Sequence, residues 1–111
     1  MHFALRFLAL GGIDNFWFEE ELDGTRNNVL FVKYRLSADG MEVREFVIIY
    51  WHIVDGKNVE IIRFDCCEKE SLNVHTFYTA TPEKRFLNRD KIFETIEEII
   101  GSIRKNWRHI S

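Results

Sequence analysis

The residues from Arg63 to Tyr78, RFDCCEKESLNVHTFY, gather an arginine, an aspartate, two adjacent cysteines and a histidine around one short polar turn. In an extended strand alternate side chains share a face, so Arg63 and Asp65 point the same way. A turn over Cys67 to Leu72 brings His75 opposite or diagonal to Asp65 and sets Arg63 near Phe77. An aspartate accepting from one imidazole nitrogen fixes the tautomer and leaves the other nitrogen free to move a proton. The cationic side chains Lys33, Arg35 and Arg44 fall on neighbouring strands and, with Arg63, could hold a phosphate through paired N–H donors. Asp65 and His75 are therefore the candidate catalytic residues, with Arg63, Arg44, Arg35 and Lys33 as candidate anion-binding residues. The same residues also make an ordinary salt-bridge ladder on a solvated sheet face.

Cys66 and Cys67 are successive residues, so in a strand they face opposite ways and cannot share one tetrahedral metal. The four histidines show no H-x-x-x-H spacing and the cysteines no C-x-x-C. No metal or other cofactor is expected; Cys66 reads as a small core residue and Cys67 as a turn residue. Glu19, Glu20 and Glu21 also alternate faces and read as an acidic edge strand. The C-terminal RKNWRH is basic, as suits the negative end of a helix. No glycine-rich phosphate loop, nucleophile elbow or serine-centred triad occurs.

The chain that must position these residues has 111 amino acids, 46% of them hydrophobic, with a single proline and sixteen aromatic residues. That is enough for one core and too little for two, so residues 1–111 read as a single domain. A net charge of −3 excludes a global field of the kind that marks nucleic-acid or anionic-membrane binders. No apolar run is long enough for a membrane span, and MHFALRFLAL lacks the basic start and cleavage site of a secretory leader. Two adjacent cysteines make no disulfide framework, which favours a reducing compartment and a cytoplasmic location.

Asp-Gly occurs at positions 23–24, 39–40 and 55–56, and this pair is a strong hairpin signal because both positions of a type I′ turn need positive φ. The sixteen-residue spacing leaves one strand between successive turns, predicting a β-meander; the first turn is expected to be longer because TRNN follows it. Two-residue loops at the second and third turns would set Leu36 against Val43, Val32 against Val47, Ile49 against Ile62 and Val47 against Phe64. One face then collects Val47, Ile49 and Trp51 with Leu30, Val32, Ile62 and Phe64 as the core. The other carries Phe31, Phe46, Ile48, Tyr50 and Ile61 as an apolar patch, with His52, Val59 and the charged residues. Such a patch calls for a cover: the N-terminal segment, a second copy of the chain, or a partner protein.

Ile92, Phe93, Ile96, Ile99, Ile100, Ile103 and Trp107 follow helical spacing, with Asn88 or Asp90 as caps, acidic residues early and basic residues late. Gly101 within that helix suggests a close approach to the sheet. Residues 1–10 fit either a strand or a short helix, the strand being preferred. The expected fold is α+β: an antiparallel meander of five or six strands with one C-terminal helix on one face.

With IIRFDCCEKESLNVHTFY followed by the NRDKIFETIEEIIGSIRKNWRHI helix, the chain resembles small uncharacterised prokaryotic proteins and, distantly, the TumE-like toxins of toxin-antitoxin systems. Arg63, Phe64 and Asp65 match that family's Arg-Tyr-Asp segment and His75 one of its later histidines, over roughly Glu45 to Ile110. Cys66, Cys67 and Phe77 depart from its histidine-rich pattern. The resemblance implies a toxin-like component acting on RNA or nucleotide phosphates, with an antitoxin protein as partner. The alternative is a non-enzymatic interaction domain, such as a homodimer, whose mixed sheet face binds protein.

Overall fold

The structure, a computed structural model, describes residues 2–4 (backbone), 15–78, 81–90 and 93–110. Among the described residues seven strands, rather than the expected five or six, run in chain order as one antiparallel meander: β1 His2–Ala4, β2 Asn15–Glu21, β3 Asn28–Leu36, β4 Val43–Val54, β5 Lys57–Cys67, β6 Glu70–Thr76 and β7 Glu83–Phe86. Helix α1, Phe93–Asn106, continues into a 3-10 turn, Trp107–His109, and packs on one sheet face. The α+β meander and its C-terminal helix are thus as the patterning implies, with short edge strands at both ends of the sheet. His2–Ala4 is a strand, paired with Glu19–Glu21; the rest of the opening segment lies outside the described residues.

The three Asp-Gly pairs close three different turns. Asp55 (φ 52°) and Gly56 (φ 75°) both take positive φ, giving the expected two-residue hairpin with Val54 opposite Lys57. At Asp39-Gly40 only the glycine is left-handed, and six residues connect Leu36 to Val43. Asp39 organises that loop by accepting from Ser37 Oγ (2.5 Å) and the Met41 N–H (2.9 Å). The Asp23 connection is long, as TRNN suggests, running from Leu22 to Asn27 with Arg26 also left-handed.

Leu36 does face Val43, but the next pair is Arg35 with Glu45, so Arg44 is bulged out. One extra residue inverts every following side chain. Val32 therefore faces Ile48 rather than Val47, Val47 faces Asp65 rather than Phe64, and Ile49 faces Arg63 rather than Ile62. Phe46, Ile48 and Tyr50 are buried in the core, not displayed on the outer face, and Tyr50 turns with His52 toward Asn28 on the core side. A second irregularity, where Tyr50 faces Ile62 and Trp51 faces Glu60, leaves Ile61 as the extra residue, packed against the core. The expected patch of Phe31, Phe46, Ile48, Tyr50 and Ile61 consequently keeps only Phe31.

The core lies between the sheet and α1. Leu30, Val32, Phe46, Ile48, Tyr50, Cys66, Leu72 and Val74 come from the sheet, and Ile96, Ile99, Ile100, Ile103 and Trp107 from the helical stretch. Phe93 is partly exposed but sets its ring edge against Tyr34, 5.8 Å between centroids. Ile92 and the residue before it lie outside the described residues; Asn88 and Asp90, the expected caps, are described and lie in non-helical backbone, five and three residues ahead of Phe93. The Gly101 expectation is corrected: a Cβ built there meets nothing within 4 Å, and the residue is exposed.

One core position is charged. Glu20, on β2, is fully buried beneath α1, and Arg104 reaches down to it, its Nε donating at 3.1 and 2.9 Å to the two carboxylate oxygens while Nη2 adds a further bond. This forked geometry suits a guanidinium and satisfies a carboxylate that has left water.

Two stability predictions follow from these contacts. Arg104→Ala leaves the Glu20 carboxylate buried and unpaired, and should cost about 3–5 kcal/mol in urea denaturation, whereas a Glu20→Leu/Arg104→Leu pair should recover most of that loss. Gly101→Ala, at an exposed helical position with open space, should gain up to about 1 kcal/mol in the same measurement.

Candidate functional site

The β5–β6 hairpin holds the candidate catalytic pair on the sheet face away from α1, called the outer face here. The ladder sets Arg63 opposite His75 and Asp65 opposite Asn73, so Asp65 is diagonal to His75. Nε2 of His75 lies 3.8 Å from Oδ2 of Asp65, with the two side chains 25% and 23% exposed. That separation is beyond hydrogen-bond length, so Asp65 does not fix the imidazole tautomer in this arrangement. His75 instead stacks on Phe77, ring centroids 6.0 Å apart and planes within 7°. Arg63 faces His75 directly, and Phe77, two residues further on, is diagonal to Arg63.

The side chain that engages Asp65 most closely is Asn73, which the sequence reading left aside. It is fully buried, and its Nδ2 lies 3.0 Å from Asp65 Oδ1, 3.1 Å from the Asp65 carbonyl, 2.9 Å from Glu70 Oε1 and 3.0 Å from the Ser71 carbonyl. An amide nitrogen carries two hydrogens, so these four oxygens share them. No local pattern marks Asn73: its place between the core residues Leu72 and Val74 puts it on the opposite, outer face, where burial is not expected. Glu70 is in turn 2.7 Å from Lys84 on β7, and the hydrogen bond from that ammonium holds the Glu70 carboxyl below its ordinary value, despite some opposing desolvation.

The arginines come to the same region but are matched with carboxylates. Arg63 pairs with Glu60, three residues earlier on its own strand, while its Nε is buried without a partner among the described residues. Arg35 lies 3.3 Å from both Glu45 and Glu68, and Arg44, exposed at the bulge, lies 3.6 Å from Glu68. The hydrogen bond to Glu45 foremost, with help from the charge of Glu45 and from the hydrogen bond and charge of Glu68, holds the Arg35 guanidinium above its ordinary value against an opposing desolvation. Lys33 has no ion pair among the described residues. Lys33, Arg35, Glu45, Asp65 and Cys67 line a cavity of about 250 Å³. Its two bases and two acids cancel, so the cavity presents no net positive field to an anion. The structure therefore brings Arg63, Asp65 and His75 together with Lys33 and Arg35 on the same side of the sheet, and leaves Arg44 at the rim.

Cys66 is buried and Cys67 half-buried, and neither is in a disulfide. No group of three or more histidine, cysteine, aspartate or glutamate side chains arranged for a metal occurs among the described residues.

Beside the charged hairpin the outer face is aromatic. Trp17, Phe31 and Trp51 form a diagonal stack across β2, β3 and β4, centroids 6.2 and 5.3 Å apart, with Val29 and Ile49 buried among them and Val47 half-buried. All three rings are partly exposed. The bulge at Arg44 makes this strip, because it turns Val47, Ile49 and Trp51 outward.

Comparison of the chain with protein-family models, with curated proteins and with solved structures finds no match. Among the described residues no helix is long and apolar enough to cross a membrane.

The Glu70–Lys84 contact sets a pH dependence. A carboxyl whose folded value is depressed stabilises the fold above its unfolded value, and that contribution is lost as pH falls through the folded value. Carbon-detected NMR should find the Glu70 midpoint below that of an ordinary glutamate. In Lys84→Met the midpoint should rise, and the acid-side loss of stability traced to this carboxyl should shrink.

Proposed function

We propose that this chain is a non-enzymatic interaction domain that pairs with a second copy of itself through its outer sheet face. The observation that carries this reading is the Trp17–Phe31–Trp51 stack, partly exposed on the face that α1 leaves open. Large aromatic side chains grouped with aliphatic ones are what protein interfaces use as anchors, and a sheet face is self-complementary enough to serve a two-fold dimer. The carboxylates already bound to Arg63, Arg35 and Arg44 favour the same reading, since anion capture would first have to break those pairs. Two cysteines outside any disulfide suit the cytoplasm as the place where such a domain works.

A second reading rests on the approach of His75 to Asp65, 3.8 Å apart and both accessible. Catalytic contacts tighten when substrate binds, so this pair could act as acid and base in a toxin-like component that cleaves RNA or nucleotide phosphates and is held in check by an antitoxin. Arg63, Arg44, Arg35 and Lys33 would hold the anion, in keeping with the resemblance to TumE-like toxins.

Sedimentation equilibrium of the full chain decides the first reading: the expected mass is that of two chains, and a single-chain mass at the highest soluble concentration refutes it. Trp51→Lys should retain its far-UV circular dichroism while losing about 2 kcal/mol or more of association, roughly thirtyfold. The second reading is tested by growth of a bacterial host after induction of wild type, His75→Ala and Asp65→Asn at equal folded yield. Arrest by wild type alone supports it, and equal growth of all three removes it.

A further inference from the structure

We propose that the two copies meet with their two-fold axis lying across the strands, so that Lys33 of each chain pairs with the partner's Glu19. This rests on the homodimer reading above and specifies its register.

The ladders define rows on the outer face. One row is Trp17, Lys33, Val47 and Asp65, and the next is Glu19, Phe31, Ile49 and Arg63, in the order β2 to β5. A two-fold axis between these rows and perpendicular to the strands exchanges the rows while keeping each residue over its own strand. Val47 then lies over the partner's Ile49, Asp65 over the partner's Arg63, and Lys33 over the partner's Phe31, an arrangement that favours a cation against an aromatic face. The partner's Glu19 lies one strand spacing, about 4.8 Å, to the side of that position, across the ~10 Å between packed sheets that two long side chains can span. The interface closes an aliphatic centre with opposite charges facing across it.

Two further observations select this arrangement. Of the four charged side chains in these rows, Asp65 approaches His75 and Arg63 is paired with Glu60, while Glu19 and Lys33 have no ion pair among the described residues. They carry opposite signs and lie diagonally, which is the placement that an axis across the strands converts into two equivalent contacts. An axis along the strands between β3 and β4 instead sets Lys33 over the partner's Val47 and the partner's Glu19 over Arg63, two strands away from Lys33, so the lysine gains no partner. A cation covered without a partner disfavours that packing. Four strands and four rows make a footprint of roughly 20 by 25 Å. With side-chain relief this approaches the ~800 Å² per partner of a standard stable interface.

The experiment is sedimentation equilibrium on wild type, Lys33→Glu, Glu19→Lys and the double exchange, each checked by circular dichroism. Either single reversal should weaken association by about tenfold or more, and the double exchange should return it to within a few-fold of wild type. If wild type is dimeric and the single reversals leave its affinity unchanged, or the double exchange stays as weak as the singles, this register is wrong while the homodimer reading stands. If wild type is a single chain, both fall together, and the face belongs to another segment of this chain or to a different protein.

Discussion

Between the Leu36–Val43 pair and the Arg35–Glu45 pair, β4 carries one residue more than β3. A strand has a side-chain period of two, so the surplus Arg44 exchanges the two faces of β4 from Glu45 onward. Everything on the sheet follows from that exchange. Phe46, Ile48 and Tyr50 turn under α1, and Val47, Ile49 and Trp51 turn outward to meet Phe31 and Trp17. The second irregularity, at Ile61, restores the parity of β5 so that Ile62, Phe64 and Cys66 still face the core. Without this pair of bulges, a strand as apolar as VREFVIIYWHIV could present either of its faces to the helix. Placing Tyr50 rather than Trp51 inside has a polar consequence as well, since a buried phenol needs a partner. The Tyr50 hydroxyl finds one in Asn28 Oδ1 at 2.8 Å, an oxygen that His52 Nδ1 also approaches at 2.9 Å.

The interior is therefore not purely apolar, and its polar groups tie elements that hydrophobic contact would leave free to slide. Glu20 and Arg104 lock α1 to β2 across 84 residues of sequence, at the cost of desolvating a carboxylate. Asn28 joins the Asp23 loop to β4, donating to Asp23 Oδ2 while accepting from Tyr50. Asn73 ties both strands of the β5–β6 hairpin to its turn through Asp65, Glu70 and Ser71. Each of these bonds is directional where apolar packing is not, so each fixes a register that the core alone would permit to vary.

Much of this was legible in the sequence, and the parts that were not share a cause. The helical stripe from Ile96 to Trp107 and the alternation of β3 and β5 are local patterns, and they name the core residues of those elements. The hairpin at Asp55-Gly56 is local too, as is the juxtaposition of Arg63, Asp65 and His75 across the β5–β6 hairpin. The faces of β4 were not legible, because nearly every residue from Phe46 to Trp51 is apolar and alternation has no contrast to report. A Leu36–Val43 pairing read correctly thus led to a wrong assignment a few residues later, once Arg44 left the ladder. Glu20 was equally hidden: in Glu19-Glu20-Glu21 only the distant Arg104 marks which of three identical side chains goes inside. The cationic residues were located, but the carboxylates that neutralise them come from Glu45, Glu60 and Glu68, whose approach depends on the bulge and the turn.

That neutralisation bears directly on what the outer face can do. A site that captures phosphate keeps its guanidiniums oriented and unsatisfied toward the ligand, so that binding does not begin by breaking ion pairs. Here Arg63, Arg35 and Arg44 each meet a carboxylate of the same sheet, and Asp65 is engaged by a buried amide. Charges paired in this way cost little to cover with another surface, because their partners travel with them. The polar hairpin therefore resembles the rim of an interface more than the floor of a catalytic cleft, with the aromatic strip beside it as the part that gains from leaving water. Lys33 and Glu19 complete this picture: they flank the strip with opposite signs, and in the proposed dimer a second copy of the same face would supply what each lacks.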